Sequence, residues 1–104
     1  MGKFVLAYQG GGMPETPEEG EKVMAAWTSW FGSIGAAIVD AGNPFGSSKV
    51  ISADGSVTDG GAGGLTGYSI ISADSLDAAT GLARGCPLLT SGGAVSVYET
   101  HDVG

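Results

Sequence analysis

The sequence predicts an α+β domain of ferredoxin-like type: a βαββαβ chain folded into an antiparallel sheet with both helices on one face. Three observations carry this reading. From Leu65 to Pro87 a short apolar run leads directly into a helix start, a half-apolar helix and a Cys-Pro stop. Thr16-Pro17-Glu18-Glu19 opens a second, longer apolar arc at helical spacing. Short runs of strand character stand at both ends of the chain, so strands and helices interleave.

At 104 residues the chain is long enough for one core and not for two, so residues 1–104 are read as a single domain. Twenty glycines are the compositional outlier, but 42% apolar residues in clear periodicities argue for a folded chain. Eleven acidic residues against four basic ones leave a net charge of −7, and Lys3, Lys22, Lys49 and Arg84 form no cluster. Direct binding to nucleic acid or to an anionic membrane is therefore disfavoured, since nothing is present to neutralise phosphate. No apolar stretch approaches the ~20 residues that span a bilayer. The lone cysteine, Cys86, fits a reducing compartment, and a cytoplasmic location is expected.

Lys3 to Gln9 reads as a strand apolar on both faces, with Phe4, Leu6 and Tyr8 on one and Val5 and Ala7 on the other. Such a strand needs a cover on each side. Gly10-Gly11-Gly12 ends it as a flexible turn and lacks the spacing of a phosphate loop. The first helix has Thr16 as N-cap, Pro17 at the first helical position and Glu19 closing a capping box. Val23, Met24, Trp27, Trp30, Phe31, Ile34, Ile38 and Ala41 share one arc, so the helix is expected to run to about Ala41 and to stop at Gly42 and Asn43-Pro44. Its other face, Ala25, Thr28, Ser29, Gly32, Ser33 and Ala36, is small and nearly uncharged. That suits close approach of another helix, or equally a helix held by tertiary packing.

A second strand is expected around Lys49-Val50-Ile51, then an Asp54-Gly55 hairpin signal and a short Ser56-Val57-Thr58 segment. The run from Asp59 to Gly64 is a loop almost without side chains, and Thr66 to Ala73 is the third strand. Asp74 or Ser75 caps the second helix, whose stripe is Leu76, Ala79, Thr80 and Ala83, and Gly85 and Pro87 stop it. After a loop from Leu88 to Gly93, Ala94 to His101 alternates as the last strand.

These residues carry a resemblance. Asn43-Pro44-Phe45-Gly46, Val57-Thr58-Asp59-Gly60 and above all Gly67 to Pro87 resemble, in this order and over essentially the whole chain, the YCII-related or DGPF-domain family. The resemblance implies a homodimeric α/β barrel, two ferredoxin-like sheets facing each other through the side their helices leave open. For some members it also implies a His on the first helix paired with an Asp before the proline after the second. Here the first of those positions falls near Phe31 and the second is Cys86, while Gly61 and Ala62 replace the Pro and Phe of the name-giving motif. An acid/base mechanism needs groups that exchange a proton, so it does not carry over, and no catalytic residue is assigned.

His101 beside Asp102 reads as an exposed pair near a terminus. Cys86, at the C-terminal end of a helix where the dipole opposes a thiolate, reads as a small buried residue. One Cys and one His make no zinc site, and no metal or cofactor is expected. If a pocket exists beside Trp27 and Trp30, its polar lining is expected from Tyr8, Gln9, Lys49, Asp59 and Tyr68, which flank strand ends and loops. Three functions fit: a non-catalytic homodimeric domain that binds a small molecule or a protein partner, an enzyme acting on a compact ring substrate, or a regulatory accessory domain linked to transcription. A deep, partly polar pocket favours the second, and a closed apolar core the first or third.

Overall fold

Residues 2–11, 15–60 and 64–102 are described in the structure, which is a computed structural model. Gly12 and residues 61–63, on which the glycine turn and part of the Asp59–Gly64 loop were placed, lie outside them. Alternation along β1, Gly2–Gln9, buries Phe4, Leu6 and Tyr8 on the helix side. β1 is a central strand, antiparallel both to β5, Leu65–Ala73, and to β6, Ala94–Glu99. With β2, Ile38–Asp40, on the outer side of β5, the sheet order is β2-β5-β1-β6. This is the ferredoxin-like βαββαβ arrangement.

Helix α1, Pro17–Ile34, begins as its sequence dictates: the Thr16 hydroxyl accepts the Glu19 amide at 3.1 Å. The return half of the box is shifted by one residue, because the Glu19 carboxylate accepts from the Glu15 amide at 3.0 Å and not from Thr16. The helix ends at Ile34, about two turns before the expected Ala41. Gly35–Ala37 forms a tight 3-10 turn, after which β-branched Ile38 and Val39 extend into β2. Gly35 weakens the helix there, and hydrogen bonding to β5 outcompetes another helical turn. Ile38 still faces the helix layer and packs on the core, so one inward residue satisfied both periodicities.

The strand expected at Lys49–Ile51 is real but belongs elsewhere. Lys49–Ile51 (β3) and Val57–Asp59 (β4) pair only with each other, as a hairpin outside the main sheet. Asp54 and Gly55 make its turn, the Asp54 carboxylate accepting the Ser56 amide at 2.9 Å and Gly55 taking a φ of 88°. The radius of gyration is 15.2 Å, against ~13 Å for a compact chain of this size, and the 18 Å thickness matches two layers. The excess lies in the two long dimensions, 44 and 39 Å.

Helix α2, Leu76–Ala83, is capped by Ser75, whose hydroxyl accepts the Ala78 amide at 3.0 Å. Ala79 and Ala83 are buried and Leu82 packs beside them, while Leu76, placed by its spacing on the inward stripe, is largely exposed. Both helices join one core with Phe4, Leu6, Ile71, Ala73 and Cys86. Trp30 ties the helices together: its indole N–H donates to the Leu82 carbonyl at 3.1 Å, and Gly85 leaves room for its ring. On the small outer face of α1, Gly32 and Gly35 stand open, since a Cβ added at either would touch nothing among the described residues. The far face of the sheet carries Val5 and Ala7, Tyr68 and Ile70, and Ser96 and Tyr98, opposite the helices.

Candidate functional site

A cavity of about 480 Å³ opens where the helix layer parts from one end of the sheet. Met24, Trp27 and Phe31 project into it from α1 at a spacing of three and four residues, one above another on a single helix face. Tyr8 closes it from the end of β1, Thr66, Gly67 and Tyr68 from the start of β5, and Leu88 from the 3-10 turn Pro87–Ser91. The fourth wall is the segment 41–44 that follows β2.

That wall is held by backbone geometry. Segment 41–45 continues along the edge of β5: Pro44 bridges Gly67, the Phe45 amide donates to the Thr66 carbonyl at 2.8 Å, and the Tyr68 amide to Asn43 at 3.4 Å. Gly42 takes a φ of 84°, and a Cβ there would collide with the Tyr68 carbonyl. At Gly67 a side chain would press on the Asn43 carbonyl and on the Tyr8 ring. Glycine at both positions lets the wall lie this close to the strand.

Polar contacts lock the wall from below. The buried Tyr8 hydroxyl donates to Ser69 Oγ at 2.6 Å, and Ser69 Oγ donates in turn to the Ala41 carbonyl at 2.6 Å. Burial pushes the Tyr8 phenol up to about 12, the bond to Ser69 offsetting only part of that. Asp40 is outside the lining, its carboxylate accepting the Gly42 amide at 2.8 Å and lying 3.5 Å from the Tyr68 hydroxyl. The Tyr68 ring stacks on Phe45 at 5.7 Å.

The inner surface is aromatic. Trp27 meets Tyr8 edge-on at 5.3 Å, Trp30 edge-on at 5.7 Å and Phe31 at 5.7 Å. Edge-to-face contacts of this kind hold the rings in one arrangement, so the cavity wall is preformed. Among the described residues, no His, Cys, Asp, Glu, Lys or Arg lines it. A slot of this composition offers aromatic and apolar surface of the kind that stacks on a flat ring.

Of the seven residues expected to line a pocket, the structure brings Tyr8, Trp27 and Tyr68 to this cavity. Trp30 is buried behind them and instead borders a shallower groove with Ser29, Ser33 and Gly85. Gln9 follows Tyr8 at the exposed end of β1, outside the lining. Lys49 and Asp59 are removed from the site: they are cross-strand partners in the hairpin, ion-paired and exposed. They flank a loop in sequence, but they pair with each other on a hairpin outside the main sheet. Met24 and Phe31, the wall residues from Ala41 to Pro44, and Thr66, Gly67 and Leu88 were missed as lining, Gly67 having been noted only as a weak strand former. His101 contacts Glu99 at 3.3 Å on the surface and not Asp102. Cys86 is buried, and burial raises its thiol above the ordinary range.

No protein-family model matches the sequence, and no curated protein matches it. Among solved structures the chain is similar to the 5-chloro-2-hydroxyhydroquinone dehydrochlorinase (TftG) of Burkholderia phenoliruptrix AC1100 in complex with 2,5-dihydroxybenzoquinone. The TM-score is 0.57 at 18% identity, over 98% of this chain and 95% of that one. At that identity the likeness is one of fold, and it spans both chains from end to end.

Proposed function

We propose that this is a small-molecule-binding protein of YCII-related type, a cytoplasmic homodimeric α/β barrel whose cavity beside Trp27 receives a compact ring compound. The observation that carries this reading is the cavity itself: about 480 Å³, aromatic on its inner side and built on two strands and a helix. Its size falls within the ~300–1,000 Å³ usual for small-ligand sites. A fold neighbour that holds a single six-membered ring, 2,5-dihydroxybenzoquinone, supports the class of ligand. The ligand-contacting residues in this proposal are Tyr8 and Trp27, with Met24 and Phe31, while Tyr68 borders the cavity from a strand position whose side chain faces away from the helices.

Binding without catalysis is favoured by the lining, whose described residues include no His, Cys, Asp, Glu, Lys or Arg and whose Tyr8 phenol is pushed by burial up to about 12. A second reading, an enzyme acting on a ring substrate, is favoured by the dehydrochlorinase activity named for the neighbour. A homodimer is supported by the two-layer architecture, whose sheet presents Val5, Ile70 and Tyr98 on the face away from the helices.

The test is a thermal-shift and tryptophan-fluorescence screen against hydroxylated and methoxylated single-ring compounds. A bound ring at a hundredfold excess over its dissociation constant stabilises the fold by about 2.7 kcal/mol and perturbs Trp27 emission. Trp27→Leu should weaken binding at least tenfold while the protein stays folded. If no ring compound stabilises the protein, the cavity is not a ligand site. Chromatography of the bound compound after incubation separates the readings: recovery unchanged supports binding alone, and conversion supports the enzyme.

A further inference from the structure

The cavity is a slot that runs across the strands. Pro44, Gly67, Tyr8 and Val95 form one row of the sheet: Pro44 bridges Gly67, Gly67 pairs with Tyr8, and Tyr8 pairs with Val95. The wall at 41–44 stands at one end of that row. Leu88 closes the other, beside Gly11 and Gly93, which follow β1 and precede β6. Two to three strand spacings separate the ends, roughly 10–14 Å. The volume of about 480 Å³ likewise exceeds the need of one ring, since an apolar cavity of ~150 Å³ already takes benzene.

Leu88 is seated in a notch without side chains. A Cβ added at Gly11 would stand 2.5 Å from Leu88 Cδ1, and one at Gly93 would stand 2.5 Å from Leu88 Cγ. The Leu88 carbonyl accepts the Gly93 amide at 3.0 Å, so its backbone and side chain are fixed together. Leu88 thus has the cavity on one side and glycine backbone on the other, and glycine at 11 and 93 leaves the slot its length.

We infer that the slot takes an apolar ligand of two six-membered rings in line, one beside Trp27 and the second reaching toward Leu88, and that Leu88 sets the length it admits. The inference rests on the ring-binding reading above and sharpens it from one ring to two. A single ring beside Trp27 leaves the Leu88 end of the slot to water, against apolar surface. A second ring displaces that water and buries further apolar area. The ring bound by the fold neighbour, 2,5-dihydroxybenzoquinone, is a single one. The present chain has that protein's fold and takes a longer ligand.

The experiment is isothermal titration of the full chain at neutral pH with four probes: phenol, 4-phenylphenol, its bent isomer 2-phenylphenol, and the longer 4-(4-methylphenyl)phenol. The wild type should bind 4-phenylphenol at least tenfold more tightly than phenol. It should also bind 4-phenylphenol at least threefold more tightly than 2-phenylphenol, a comparison at equal composition that reads shape rather than hydrophobicity. Leu88→Phe shortens the slot and should lower the ratio of 4-phenylphenol to phenol affinity at least fivefold. Leu88→Ala lengthens it and should raise the affinity for 4-(4-methylphenyl)phenol relative to 4-phenylphenol at least threefold. Leu89→Ala, at the exposed neighbour outside the lining, should leave these ratios unchanged. Circular dichroism establishes that each variant is folded, and the two Leu88 variants act in opposite directions, so either alone decides the role of Leu88. If 4-phenylphenol binds no more tightly than phenol or than its bent isomer, the two-ring inference is overturned and ring binding stands. Ratios indifferent to the Leu88 variants overturn the role of that residue. Failure of all four probes to bind removes the ring-binding reading, and this inference with it.

Discussion

Tyr8 joins stability and site in one side chain. Its ring walls the cavity and contacts Trp27, while its hydroxyl fixes Ser69 and through it the Ala41 carbonyl. Tyr8→Phe removes one buried hydrogen bond and leaves Ser69 its bond to Ala41, so a loss of about 1 kcal/mol in urea unfolding is expected. The fold favours the protonated phenol. Its stabilising contribution is therefore complete below the ordinary value of 10.0 and is lost as pH rises through about 12. Cys86, whose thiol is also raised by burial, acts in the same direction. Urea midpoints should stay flat through neutral pH and fall on the alkaline side, and Tyr8→Phe should make that fall shallower; an unchanged alkaline limb would contradict the assignment. Gly42→Ala is expected to cost roughly 2 kcal/mol or more, because it strains a left-handed backbone and meets the Tyr68 carbonyl. The aromatic members of the site were legible from apolar spacing and strand ends. The wall 41–44 was not, because its placement depends on hydrogen bonds to β5 and on a positive φ at Gly42, which side-chain patterns do not encode.

Among the elements, α1 and the β3–β4 hairpin sit at opposite ends of a range of local stability. The Thr16 cap holds the entry to α1, and Thr16→Ala should lower stability by about 1 kcal/mol in thermal or urea unfolding. The hairpin has no third strand, and Val50, Ile51 and Val57 are exposed on it. Two strands alone are marginal in water. In hydrogen exchange its amides should open orders of magnitude faster than those of Leu6 or Ile71, and protection equal to the core would mean that something covers the hairpin in solution. The sequence identified the hairpin's turn from Asp54-Gly55 but assigned its first strand to the sheet, since Lys49-Val50-Ile51 has the composition of a sheet strand. The sheet's true second strand is three residues long and was hidden in the tail of a helical pattern, where Ile38 fits either period. Short strands joined by long-range pairing carry too little local signal to outvote an adjoining helix.

For the whole molecule, the ferredoxin-like order was readable because β1, α1, β5 and α2 each carry an independent pattern, and those elements constrain where the remaining strands go. The proposed dimer makes a measurable claim at this scale. Light scattering at micromolar concentration should return twice the 10.2 kDa chain mass, and a monomer would rule out the barrel assembly. The burial of the chain's lone thiol has a use of its own. Cys86 is 2% exposed and lies in the core shared by both helices and the sheet. A thiol reagent can reach it only when that core separates, so the rate of its modification is a clock for opening of the native protein, read at one atom without an introduced label. A ligand that seats beside Trp27 and holds α1 against the sheet should slow that clock in proportion to its occupancy.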